Sequence, residues 1–244
     1  PIAVFLPELE YMGNARLTAA FNSVEKKMQL DLGIQNIKMN GVGAESIVFS
    51  STGNTSKIAN TVIIKELEAT NGVRIPQTIL TNQMLNDSIY FRLDIENDTI
   101  DQLIDLAAVM TNSTEGYRLE FEKDMIANNL KWSIDQQNFI NFSSDFLKIN
   151  ELIFSYKNQS MGIHTLLGKN SEPVPPIEIS FENFQIAALS NIANIQNTSF
   201  AGQLNGQLKA IELFDNLHYT ADLTIPNMSL NEEKIGALSI NFDN

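Results

Sequence analysis

The chain has 244 residues, no cysteine and a formal charge of −13. That length suits one large all-β domain or two smaller ones and can bury a substantial core. The missing cysteines exclude disulfides and thiolate metal sites, and an acidic balance with no basic stripe argues against a nucleic-acid partner and against adsorption on anionic headgroups.

No apolar run approaches the roughly 18–20 residues of a membrane helix. No signal-peptide pattern is present, and the chain begins at Pro1. It is therefore expected to be a fragment of a longer protein, with any targeting segment upstream. Asparagine is abundant, so triplets such as Asn112-Ser113-Thr114 read as composition before they read as glycosylation acceptors.

Residues 1–12 carry no pattern that can be placed. "RLTAAFNSVEKKM" sets Leu17, Phe21, Val24 and Met28 at helical intervals. "GVGAES" (41–46) superficially has dinucleotide-loop spacing. Ser46 replaces the third glycine and a strand pattern follows, so the helix terminus that would hold pyrophosphate is missing. In "SIYFRLDIEN" (88–97), Ile89, Phe91, Leu93 and Ile95 alternate with Tyr90, Arg92, Asp94 and Glu96. That is a strand with one dry face and one wet face.

"DIENDTIDQLID" (94–105) nearly matches a calcium loop. Thr99 stands where the loop needs glycine and Asp105 where it needs a bidentate glutamate, so a turn between strands is the better reading. "TIDQLIDLAAVM" (99–110) fits either period.

The two-faced pattern recurs further on. Tyr117, Leu119 and Phe121 oppose Arg118, Glu120 and Glu122. Leu130, Trp132 and Ile134 oppose Lys131, Ser133 and Asp135. Ile177, Ile179 and Phe181 oppose Glu178, Ser180 and Glu182. Ala221, Leu223 and Ile225 oppose Asp222 and Thr224. Asn, Gly, Asp and Ser separate these runs, which predicts an antiparallel meander. "EPVPPIE" (172–178) predicts a loop or bend at 170–176. The stretch 184–194 is the one place where a short helix or turn is favoured.

An internal repeat links the two ends. "GNARLTAAF" (13–21) and "LDLGIQNIKMNG" (30–41) resemble "GQLNGQLKA" (202–210) and "ADLTIPNMSLNE" (221–232). Asp31, Leu32, Ile34, Asn36 and Asn40 match Asp222, Leu223, Ile225, Asn227 and Asn231 without a gap. One architectural element is thus used more than once along an elongated sheet.

Chemistry is absent from this pattern. His164 and His218 are isolated, and one imidazole makes neither a triad nor a zinc site. The carboxylates alternate outward, as on a solvated face. The chain is therefore read as non-enzymatic, with no catalytic residue, metal or cofactor.

The final unit "FAGQLNGQLKAIELFDNLHYTADLTIPNMSLNEEKIGALSINFDN" (200–244) resembles the repeating unit of the TamB family. That family is the large inner-membrane-anchored subunit of the translocation and assembly module. Gly202 and Gly206 match its paired glycines. Leu223, Ile225, Asn227, Met228 and Leu230 match its central motif, and Ile235, Gly236, Leu238 and Ile240 its closing one. The stretch 87–158 is similar to the family as well.

The resemblance implies an all-β, elongated, curled antiparallel sheet: an open trough, or β-taco, with an apolar lumen and at most one or two short helices. Residues 1–244 would form one continuous segment of it. The residues expected to line the lumen are Ile89, Phe91, Leu93, Ile95, Leu119, Phe121, Leu130, Trp132, Ile134, Ile177, Ile179, Leu223, Ile225, Leu230, Leu238 and Ile240. The implied function is phospholipid transport across the periplasm, between inner and outer membranes, through contact with acyl chains. A linked role in outer-membrane protein assembly, with a barrel partner of the BamA-like superfamily, is implied too. The open strand edges would also favour end-to-end self-association. Against this stands a closed β-sandwich or β-helical binding or adhesion module, because alternating strands line a dry core equally well.

Overall fold

The computed structural model describes residues 8–69, 73–96, 103–166, 175–187, 199–211 and 217–243. Twenty-one strands form among them, all in one antiparallel sheet that does not close into a barrel. The first nine are β1 (Leu9–Met12), β2 (Ala15–Asn22), β3 (Lys27–Met39), β4 (Val42–Gly53), β5 (Lys57–Glu68), β6 (Arg74–Ile75), β7 (Thr78–Leu85), β8 (Ser88–Ile95) and β9 (Ile104–Ser113). The next seven are β10 (Gly116–Phe121), β11 (Asp124–Ala127), β12 (Leu130–Ile134), β13 (Phe139–Phe142), β14 (Leu147–Asn150), β15 (Leu152–Tyr156) and β16 (Gln159–Thr165). The last five are β17 (Ile177–Gln185), β18 (Phe200–Ala201), β19 (Gln203–Ile211), β20 (His218–Leu230) and β21 (Glu233–Asp243).

Several strands are collinear pieces of one longer rung. β1 and β2 share one edge of β3, joined where Gly13 N–H donates to Asn36 O and Gln35 N–H donates to Asn14 O. The pairs β6/β7, β10/β11, β12/β13, β14/β15 and β18/β19 behave likewise. The described strands thus make fifteen rungs, each paired with the rungs before and after it in sequence. At about 4.8 Å per step they extend over roughly 70 Å.

The asparagine content has a physical use. Asn40-Gly41, Asn86-Asp87, Asn128-Asn129 and Asn231-Glu232 each close a hairpin with both residues at positive φ. Two-residue turns of that kind match the right-handed twist of the strands, and Asn enters the left-handed region more readily than most residues.

Register breaks line up across rungs 8, 9 and 10. They fall between Phe121 and Asp124, between Ile134 and Phe139, and at Glu151, whose φ is 46°. The buried Asn138 repairs the gap: its Oδ1 accepts from Phe121 N–H at 2.8 Å, and its Nδ2 donates to Phe121 O at 3.1 Å and to Asp135 O at 2.6 Å. Aligned bulges bend all three rungs at one crease.

The sheet is curled. Trp132 lies on rung 9 and Phe184 on rung 12, about 14 Å apart on a flat sheet, yet their ring centroids are 5.9 Å apart. Curling buries two clusters on the concave face. One contains Ala127, Trp132, Phe184, Leu204 and Ile225; the other, straddling the crease, contains Ile134, Ile149 and Leu152. Among the described residues there is no second layer, so these side chains are buried by the sheet folding its own face inward.

Rungs 1–3 and 13–15 are two copies of one unit, as the sequence repeat predicts. Leu17 opposes Leu32 where Gly206 opposes Leu223, and Ile34 opposes Ile47 where Ile225 opposes Leu238.

The helical spacing of residues 16–28 is overturned. This stretch is β2, a turn and the start of β3. Asn22 Oδ1 accepts from the amides of Val24 and Glu25, both at 3.0 Å, and caps the turn. Ala19 and Ala20 mark neither face, which hid the period of two. The ambiguous 99–110 stretch is strand from Ile104 onward. Of the favoured helix, Phe184 and Gln185 belong to β17, and 188–194 lies outside the described residues, as does most of the bend at 170–176.

Candidate functional site

The inner face is best followed along lanes, lines of residues that sit opposite one another from rung to rung. One lane runs Leu17, Leu32, Phe49, Val62, Leu80, Leu93 and Leu106. Beside it run Ala15, Ile34, Ile47, Ile64, Thr78, Ile95, Ile104 and Ala127. On the other side, one lane out, run Phe21, Met28, Gly53, Ile58, Met84, Ile89, Met110, Leu119, Ile140 and Ile149. The intervening lane is Ala19, Leu30, Ser51, Asn60, Asn82, Phe91, Ala108 and Phe121. None of these four lanes holds a charged side chain.

Cover differs along the trough. On rungs 1–6 only Ser51 and Ile95 of this face are buried, while Leu17 and Phe21 are 64% and 74% exposed. Near one rim Ile58, Met84, Ile89, Met110 and Tyr117 line an open recess of about 360 Å³. From rung 7 onward the face folds on itself. Trp132, Ile134 and Ile225 are 4%, 2% and 6% exposed.

The predicted lumen residues divide accordingly. Ile89, Phe91, Leu93, Ile95, Leu119 and Phe121 share the inner face of rungs 6–8. Trp132, Ile134 and Ile225 fill the packed clusters, with Ile177, Leu223 and Leu238 against them. Ile179 pairs with Ile163 and Leu208, and Ile240 with Leu223. Leu130 is 39% exposed beside the Asn128-Asn129 turn. Leu230 sits at the Asn231 turn, opposite Glu233 and Phe200.

Sequence reasoning missed the inner face of rungs 2–5, where Phe49, Val62, Leu80 and Met84 belong. "IANTVIIKE" and "TILTNQM" carry Asn and Thr on both faces, so their alternation is blurred. Only the register sets Asn60 opposite Asn82.

The outer face holds the charge. Asp94 and Asp105 lie directly opposite each other, and Arg92 bridges them at 3.4 and 2.6 Å. Asp105 and then Asp94 hold the guanidinium even more firmly charged than usual. The first and last carboxylates of the near-miss calcium loop, Asp94 and Asp105, are thus engaged by an arginine. His164 Nε2 lies 3.4 Å from Glu178, which also pairs with Lys209 at 3.2 Å. Among the described residues no three His, Asp or Glu side chains come together to hold a metal, and no helix is long and apolar enough to cross a membrane.

The chain matches no family model, no curated protein and no solved structure.

Proposed function

We propose that the chain is a segment of a non-enzymatic hydrophobic conduit that carries phospholipid acyl chains across the periplasm. The supporting observation is the uncharged inner face of rungs 1–6, apolar but for Ser51, Asn60, Thr78 and Asn82, on which Leu17 and Phe21 stand exposed and only Ser51 and Ile95 are buried. Each methylene moved from water onto such a surface gains about 0.8 kcal/mol. Apolar lanes that repeat from rung to rung let a chain slide along them.

The resemblance of residues 200–244 to the TamB family supports the rest of the proposal. On that resemblance the proposed conduit would belong to the periplasmic part of an inner-membrane-anchored protein, working with an outer-membrane barrel partner of the BamA-like superfamily and with a linked role in outer-membrane protein assembly. The packed clusters of rungs 7–15 favour a second reading, a binding module with a dry core.

A photo-crosslinking amino acid in living cells separates the two. Placed at Leu93 on the open inner face, it should give lipid adducts, and at Asp94 on the outer face it should give none. Ile225 and Thr224 repeat the comparison in the packed half, where Ile225 should react more weakly than Leu93. An absence of adducts at both Leu93 and Ile225 in folded protein would overturn the conduit and leave the dry core.

A further inference from the structure

The four inner lanes of rungs 1–6 hold four polar side chains, Thr78 and a run of three. Ser51, Asn60 and Asn82 are consecutive along one lane, on rungs 3, 4 and 5. The neighbouring inner positions on the same three rungs are Phe49, Val62 and Leu80 on one side, and Gly53, Ile58 and Met84 on the other. Asn60 Nδ2 donates to Asn82 Oδ1 at 2.8 Å. That one bond leaves two N–H donors on Asn82, one on Asn60, the Asn60 carbonyl and the Ser51 hydroxyl.

Ser51 is already buried, but Asn60 and Asn82 are only half-buried, and an all-hydrocarbon occupant would strip water from their free amide groups and replace it with nothing, which is unfavourable. An amphiphile with uncharged carbonyl acceptors would replace the water. We propose that Asn60 and Asn82, backed by the buried Ser51, form a seat for the ester linkages of a glycerolipid, with its acyl chains on the two flanking apolar lanes. This rests on the conduit reading and adds a stopping point to it. No charged side chain stands in these lanes, so the seat recognises the neutral linkage that glycerolipids share and leaves the headgroup unread.

The test compares two probes on the purified chain: dioleoylglycerol, and its dioleyl ether analogue with methylenes in place of the carbonyls. The wild-type chain should prefer the ester about tenfold, the worth of one or two neutral hydrogen bonds. Asn60→Val with Asn82→Val should bring the ratio close to one while ether binding holds or improves. The infrared stretch of carbonyl-labelled ester on the wild-type chain, which needs no variant, should fall below its value in hydrocarbon. Equal binding of both probes by the wild-type chain, or an unchanged preference in the double variant, overturns the seat alone. Binding of neither probe by the wild-type chain removes the conduit as well.

Discussion

Trp132 shows how much a single residue carries. Its indole is 4% exposed and packs against Tyr156 and Phe184, with centroids 5.6 and 5.9 Å away. Its Nε1–H is buried with no acceptor. Trp132→Ala should therefore cost about 3–5 kcal/mol through the cavity it leaves. Trp132→Phe should cost less than half of that, because it keeps most of the packing and removes an unpaired donor. Denaturant melts of the two variants check this, and equal losses would contradict it. Glu10 is a second case. Its carboxylate takes a hydrogen bond from Lys38 and one from the Gly41 amide at 2.7 Å, and these hold its pKa below the usual glutamate value. A depressed carboxylate stabilises the fold above its unfolded pKa, and that contribution fades as pH falls through the folded value. The Gly41 amide resonance should titrate with a midpoint below that of an ordinary glutamate; a midpoint at or above the ordinary value would exclude the contact in solution.

At the scale of elements, hairpin turns and bulges shape the sheet. The Asn40-Gly41 and Asn231-Glu232 turns occupy the same place in the two copies of the three-rung unit. Glycine tolerates the second position, where φ is 76°, and glutamate is strained there at 69°. Glu232→Gly should therefore raise stability by up to about 1 kcal/mol, the left-handed penalty less the backbone entropy glycine loses. A thermal melt shifted downward would argue against that strain. The meander was legible in the sequence because Asn-rich turns and alternation are local signals. The crease on rungs 8–10 was not. "DQQN" reads as an ordinary turn, and nothing local shows that Asn138 reaches Phe121, seventeen residues back, to join two broken rungs.

For the whole molecule, both edges matter. Among the described residues β2 and β21 each lack a partner on their far side, whereas β4, the counterpart of β21 in the repeat, carries β5. Fifteen alternating rungs make the first and last run in the same direction. Head-to-tail stacking of copies would therefore join strands in parallel, and the antiparallel junction the sheet uses throughout requires a two-fold axis. The proposed end-to-end association should accordingly appear in light scattering as a concentration-dependent species of about twice 27.2 kDa. A strictly monomeric chain at high concentration would count against it.

The sequence by itself determined the all-β class, the antiparallel order and, where alternation is clean as in 88–97, which side chains share a face. All of these follow from contacts between neighbours or from a period of two. Only the tertiary structure decided which part of that face is covered. Burial of Trp132 depends on Phe184, three rungs and fifty-two positions away, and that meeting is set by the accumulated curl and the aligned bulges. The same alternation therefore yields an open apolar floor at Leu17 and Phe21 and a closed core at Ile134 and Ile225. It also placed Ser51, Asn60 and Asn82 side by side, a juxtaposition that exists only once three separate strands are in register.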